Sequence, residues 1–113
     1  KEELKYLYSN CDFMIFPSPF ENFAYTLVEA MSCGAPIACS STTAMPETCQ
    51  NAALYFNPYN VKEMSQQINQ FLVDKKKCNL YKDLSLERVK RLPNYEEVTL
   101  QVLYIMKSLI SNK

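Results

Sequence analysis

The reading turns on residues 16–36, FPSPFENFAYTLVEAMSCGAP, running from Phe16 to Pro36. The residues just before it, Phe13 to Phe16, form a short apolar run with the character of a strand. Pro17 and Pro19, on either side of Ser18, forbid regular ladder pairing and pre-set a loop. From about Tyr25 to Ser32 the pattern is helical, and Gly34 with Pro36 just beyond it ends the helix. A second apolar run, Ile37 to Cys39, follows at once. The unit is strand, loop, helix, strand, and in an open α/β sheet ligands sit in the loops at the carboxyl ends of the strands. Two carboxylates bracket the loop and helix: Glu21 and, after seven intervening residues, Glu29.

On the N-terminal side, Leu4, Leu7 and Tyr8 fall at i, i+3 and i+4. The helical pattern is already under way at Lys1, which reads as a piece of a longer protein. The unbroken apolarity of Phe13 to Phe16 predicts a strand buried on both faces, as in a parallel sheet. On the C-terminal side, Pro36 to Ser40 reads as a second strand and Ser41 to Pro46 as a polar loop. Pro46-Glu47 opens a single helical turn, and Ala52 to Phe56 is a third strand closed by Asn57-Pro58. Asn60 with Glu63 makes a capping box, and the helix after it puts Val61, Met64, Ile68, Phe71 and Leu72 on one face. A polar helical stretch runs from Asn79 to Lys90. Asn94 with Glu97 makes a second capping box, and the last helix lines up Val98, Val102, Ile105, Met106 and Leu109 on one stripe. The terminal helices thus occupy about 79–111. Strands separated by helices imply parallel pairing with right-handed crossovers. The expected class is α/β, a three-layer Rossmann-like parallel sheet, with residues 1–113 forming a single partial domain.

Composition narrows the function classes. Of 113 residues, 48% are hydrophobic and 21% charged, which is the balance of a globular chain. Twelve basic and twelve acidic residues cancel. The one basic run, Lys75-Lys76-Lys77, reads as a solvated helix C-terminus, where cations are favoured, so nucleic acid is not an expected partner. There is no histidine, and the five cysteines, Cys11, Cys33, Cys39, Cys49 and Cys78, include no Cys-x-x-Cys pair, so no metal is expected. They read as reduced thiols in a cytoplasmic setting. No apolar run approaches the length of a membrane span, which leaves open a parent protein held peripherally at a membrane.

Taken together, Pro17-Ser18, Glu21, an aromatic residue two positions on at Phe23, a helix carrying Glu29-Ala30-Met31, and the Gly34-x-Pro36 exit resemble the signature of the retaining GT-B glycosyltransferases of family 4. The resemblance runs from about Leu4 to about Tyr95, and the family's paired glutamates have the same spacing as Glu21 and Glu29. It implies that this chain is the second half of a C-terminal, donor-binding domain, with the acceptor domain and the first donor-domain strands lying outside it. The implied reaction transfers a hexose-type sugar from a nucleotide-diphosphate donor to an acceptor hydroxyl, with retention of anomeric configuration and no metal. The fragment alone is expected to be inactive and to self-associate, through the edge of Phe13 to Phe16 or through the last helix.

The residues themselves suit that donor. A diphosphate needs donors and positive potential, and a helix N-terminus supplies both. The candidates are the backbone N–H groups of the segment Phe23, Ala24, Tyr25, Thr26 and Leu27, entered through Asn22, with the Thr26 hydroxyl as a further donor. Glu29 lies past the positive end of its helix, so a dipole role explains it poorly. A carboxylate can accept from both ribose hydroxyls, and the resemblance gives Glu29 that role. Glu21 is either a loop-bracing carboxylate or, as the resemblance implies, the catalytic-site group set against the donor sugar, where charge develops at the anomeric carbon. Ser18 is read as bracing this loop, and Glu47 as a structural glutamate bonding the backbone of its own loop. Two departures stand out. The family commonly has Glu-Gly-Phe-Gly where this chain has Glu21-Asn22-Phe23-Ala24, and the family's usual glycines near Ala44 and Asn51 are missing. A non-catalytic nucleotide-binding module and a purely structural one are the competing classes.

Overall fold

A computed structural model describes residues 2–93 and 95–111. The elements run α1 (Glu2–Asn10), β1 (Met14–Phe16), α2 (Tyr25–Ser32), β2 (Ile37–Ser40), α3 (Met45–Cys49), a 3₁₀ turn (Gln50–Ala52), β3 (Ala53–Phe56), α4 (Val61–Val73), α5 (Lys75–Lys90) and α6 (Tyr95–Ser111). The three strands pair in chain order, all parallel, with Met14 beside Ile37 and Ile37 beside Ala53. The expected α/β class and parallel sheet are present.

The middle strand organises the packing. Every residue of β2 is buried, and successive side chains of a strand point to opposite faces. Ile37 and Cys39 enter one core with Leu27, Ala30 and Met31 of α2 and Met45 and Cys49 of α3. Ala38 enters the other, with Leu54 and Phe56 of β3 and Phe71 of α4. Helices therefore cover both faces of the sheet, which is the three-layer arrangement. Phe71 also stacks on Phe13 and Tyr81, with ring centroids 5.4 Å apart in each case.

Helix α2 ends as its sequence requires. Ala35 N–H donates to the Ala30 carbonyl and Gly34 N–H to the Met31 carbonyl, both at 3.0 Å. This paired closure needs a left-handed residue, and Gly34 supplies it at φ +81°. Helix α5 then passes close to Gly34 and is anchored by side chains that reach carbonyls of other elements. Cys78 Sγ donates to Phe71 O at 3.2 Å, Ser85 Oγ to Ala35 O at 2.9 Å, and Arg88 Nε to Thr48 O at 2.9 Å.

Several expectations about packing are corrected. β1 is not buried on both faces: Ile15 is 42% exposed, because β1 has a pairing partner on one side only among the described residues. On α1, Leu4 and Leu7 are exposed, and Tyr8 alone of the expected face packs on the core. On α4, Val61 and Leu72 are exposed while Met64 and Phe71 pack inward, since the contact arc of a helix on a sheet is narrower than its apolar stripe. Helix α5 starts at Lys75, not Asn79. Asp74 ends α4 and caps α5, its carboxylate accepting from Lys77 N–H at 3.2 Å. Lys75, Lys76 and Lys77 therefore open a helix and do not close one. The Asn60–Glu63 box is half formed: Asn60 Oδ1 accepts from Glu63 N–H, while Asn60 N–H goes to the Asn57 carbonyl. The second box depends on Asn94, outside the described residues.

Helix α6 stands apart. The radius of gyration is 16.7 Å and the extents are 60 × 30 × 23 Å, against about 13 Å expected for a compact chain of this length. Its stripe of Val98, Val102, Ile105, Met106 and Leu109 is exposed throughout.

Candidate active site

The loop between β1 and α2 is tied down by hydroxyls. Its prolines prevent ladder pairing, so hydrogen bonds to the carboxyl end of β2 do that job. Ser40 Oγ donates to Ser18 O at 2.5 Å and Thr42 Oγ1 to Pro19 O at 2.8 Å. Glu21 N–H donates to Thr43 Oγ1 at 3.0 Å. Within the loop, Ser18 Oγ lies 3.1 Å from both Phe20 O and Glu21 Oε1, so Ser18 braces the loop as expected and also orients the Glu21 carboxylate. The sequence reads Ser40 as the end of a strand and Thr42 and Thr43 as part of a polar loop, with no bracing role for any of them. Their signal was a run of four consecutive hydroxyl residues, Ser40 to Thr43, at the end of a buried strand.

Helix α2 opens from this loop without a side-chain cap. Ala24 is its N-cap residue, buried, at φ −88°, ψ 67°, an inverse γ-turn conformation that L-residues adopt, so no glycine is required there. Tyr25 N–H is used by Phe23 O at 3.0 Å and Val28 N–H by Ala24 O at 3.2 Å. Of the expected donors Tyr25 N–H is therefore occupied, while Thr26 and Leu27 N–H have no hydrogen-bond partner among the described residues. The first turn of α2 contains no acidic residue, which leaves its positive end uncompensated. Leu27 is fully buried and holds the helix to the core, whereas Asn22, Phe23, Tyr25 and Thr26 are exposed. The Phe23 and Tyr25 rings lie 4.4 Å apart.

Glu29 is exposed one turn further along α2. It lines a groove of about 410 Å³ between α1 and α2, with Leu4, Lys5, Tyr8, Ser32 and Cys33. Burial first, and then the charge of Glu29, raise the pKa of the Tyr8 phenol. The groove does not include Glu21. The two glutamates thus serve different places, Glu21 beside the β2 hydroxyls and Glu29 against α1. The sequence marks Tyr8 only as part of a helix face and does not mark Lys5, because their approach to Glu29 depends on tertiary packing.

Glu47 is exposed, and its carboxylate makes no hydrogen bond among the described residues. Its carbonyl accepts from Arg88 Nη2 at 3.2 Å, which corrects the expectation that its side chain braces its own loop. The backbone nearby is unusual: Thr43 has φ +50° and Gln50 φ +48°. Each stands one residue before a position, Ala44 or Asn51, near which the resemblance leads one to expect glycine. The left-handed turns are kept without glycine. Among the described residues no group of three or more Cys, Asp or Glu side chains is placed to hold a metal ion, and no helix is long and apolar enough to cross a membrane.

The comparisons with known proteins bear on this arrangement. Residues 1–87 match the family model of glycosyl transferases group 1. The chain is 34% identical over 108 residues to the O-antigen chain mannosyltransferase B of Escherichia coli, covering 96% of this chain and 28% of that protein. It is 30% identical over 93 residues to an N,N'-diacetylbacillosaminyl-diphospho-undecaprenol alpha-1,3-N-acetylgalactosaminyltransferase of Campylobacter jejuni, covering 80% of this chain and 25% of that protein. Among solved structures it matches sucrose-phosphate synthase from Thermosynechococcus elongatus with a TM-score of 0.82 and 26% identity, covering 96% of this chain and 28% of that one. The chain therefore spans about a quarter of the length of these relatives, with the parallel sheet and helices of part of a GT-B fold. With its strand-loop-helix unit, its paired glutamates and a family match over residues 1–87, the chain belongs to the glycosyl transferases group 1.

Proposed function

We propose that this chain supplies the diphosphate and ribose side of the donor site in a retaining glycosyltransferase, which moves a sugar from a nucleotide-diphosphate donor to an acceptor hydroxyl. The observation that carries the reading is the uncapped start of α2, with Thr26 and Leu27 N–H free, flanked by Glu21 on one side and Glu29 on the other. The diphosphate is met by those N–H groups, the Thr26 hydroxyl and the helix dipole. Glu29 takes the ribose hydroxyls in the groove beside Tyr8 and Lys5. Glu21, oriented by Ser18, faces the donor sugar and stabilises positive charge as the bond to the leaving diphosphate breaks. By family resemblance no metal takes part, and further basic side chains toward the diphosphate come from outside these 113 residues. The named relatives include mannosyltransferases, which makes a mannose-type hexose a reasonable donor sugar to test first.

The experiment separates the two glutamates in the full-length parent enzyme. A charge-assisted hydrogen bond contributes roughly 1.5–3 kcal/mol, so Glu29→Ala should weaken nucleoside-diphosphate binding by about ten- to a hundredfold, with Glu29→Gln milder. Glu21→Ala should lower kcat by about tenfold or more and leave affinity for the sugar-free nucleotide unchanged. Unaltered calorimetric affinity in Glu29→Ala, or loss of nucleotide binding with normal turnover in Glu21→Ala, refutes the assignment.

A further inference from the structure

Thr43 combines two features that packing does not require. Its backbone is left-handed, at φ +50°, a conformation uncommon outside glycine and an outlier for a β-branched residue. Its side chain is exposed, so no burial offsets the strain. Strained backbone of this kind persists where the surroundings over-determine it, and it clusters at functional sites. What the conformation provides is a bond: Thr43 Oγ1 accepts the Glu21 amide N–H at 3.0 Å. Ser40 and Thr42 bond the same loop at Ser18 O and Pro19 O. Of these three hydroxyls Thr43 is the one that bonds Glu21 itself.

We propose that Thr43 is a positioning residue for Glu21: its strained backbone presents a hydroxyl that fixes the Glu21 main chain and so aims the carboxylate that Ser18 holds at 3.1 Å. Ser40 and Thr42 fix the entry to the loop, and Thr43 fixes the functional residue. The proposal rests on the reading of Glu21 given above. It assigns the hydroxyl at position 43 a role that a glycine there could not perform.

Stability and activity should then separate, activity falling while stability holds. In the full-length enzyme, Thr43→Gly relieves the backbone strain, but loses one hydrogen bond and adds unfolded-chain freedom. These opposing terms are of similar size, so Tm should stay within about 2–4 °C of wild type. The same change removes the acceptor for Glu21 N–H, and kcat should fall by about ten- to a hundredfold, the scale of a small misplacement of a reacting group. Turnover is followed as nucleoside-diphosphate release from whichever GDP- or UDP-hexose of a test panel the wild-type enzyme uses. Affinity for that nucleoside diphosphate should be unchanged, and Thr43→Ser, which keeps the hydroxyl, should restore kcat. A purely structural Thr43 gives the other pattern, with activity tracking Tm. Wild-type kcat in Thr43→Gly, or a fall in kcat together with a fall in Tm beyond that range, overturns the proposal. Glu21→Ala is measured alongside. If it lowers kcat while Thr43→Gly does not, the positioning role alone is wrong. If Glu21→Ala leaves kcat intact, the reading of Glu21 fails and the proposal fails with it.

Discussion

Replacing Gln50 by glycine should stabilise the fold, against the usual effect of introducing glycine. Gln50 closes α3 at φ +48°, ψ −120°, a region where a Cβ is crowded. Two bonds hold it there: Gln50 N–H donates to Pro46 O, and Tyr55 Oη donates to Gln50 O at 2.5 Å. Both use the backbone of residue 50, so both survive the substitution. The Gln50 side chain is exposed and makes no hydrogen bond among the described residues. Only two terms therefore change. Relief of strain contributes about 1–3 kcal/mol, and the extra freedom of an unfolded glycine costs about 0.5–1 kcal/mol. The net gain is about 0–2.5 kcal/mol, which at roughly 4 °C per kcal/mol for a chain of this size raises Tm by up to about 10 °C. Urea unfolding followed by circular dichroism should show a higher midpoint with the slope unchanged. Gln66→Gly, at an exposed position inside α4, is the control and should lose about 0.5–1 kcal/mol. The reasoning is refuted if Gln50→Gly destabilises as Gln66→Gly does.

Two further expectations follow from the packing and the surface. Burial raises the Tyr55 pKa above its usual value of 10.0, so its neutral form is the one held in the fold. The stability this contributes is fully present below pH 10.0 and is lost as pH rises through the folded value. Alkaline titration should therefore lower the unfolding midpoint above about pH 10, with a shallower fall in Tyr55→Phe. The isolated 113-residue chain should self-associate at micromolar concentration, because the edge of β1 and the stripe of α6 are both exposed and unpaired apolar edges template pairing. Sedimentation showing a clean monomer with a high thermal midpoint would count against that.

The fold was largely legible because its signals are local. Gly34 and Pro36 mark the end of α2, Pro17 and Pro19 end β1, and the apolar run Ile37 to Cys39 marks a second strand. The failures share a physical cause. Val61, Leu72, Leu4 and Leu7 have the right periodicity, but periodicity does not say how wide the contact arc is. The start of α5 is not legible because three lysines look like a helix end, whereas the Asp74 side chain caps the start of the next helix. In the site, Glu21 and Glu29 were legible as a spaced pair. Their separate surroundings were not, because Thr43 meets Glu21 across 22 residues of chain and Tyr8 reaches the Glu29 groove from another helix. Backbone angles are silent in sequence too: nothing in the residues Thr43 and Gln50 announces φ > 0.

The way α5 is anchored limits how this chain can change length. Cys78, Ser85 and Arg88 reach carbonyls on α4, the exit of α2, and α3 in turn. Their spacings of about seven and three residues bring all three onto one side of a helix with 3.6 residues per turn. The helix thus acts as a phased ruler, reading positions on three separate elements against a single periodic scale. One residue inserted between Cys78 and Ser85 turns everything after it by about 100°, and Ser85 and Arg88 leave their carbonyls together. Insertions and deletions should therefore be excluded from this interval even though most of its side chains face water, while substitutions at those exposed positions remain free. A helix with little hydrophobic patterning is then strict in length and permissive in composition, the reverse of what its polar sequence suggests.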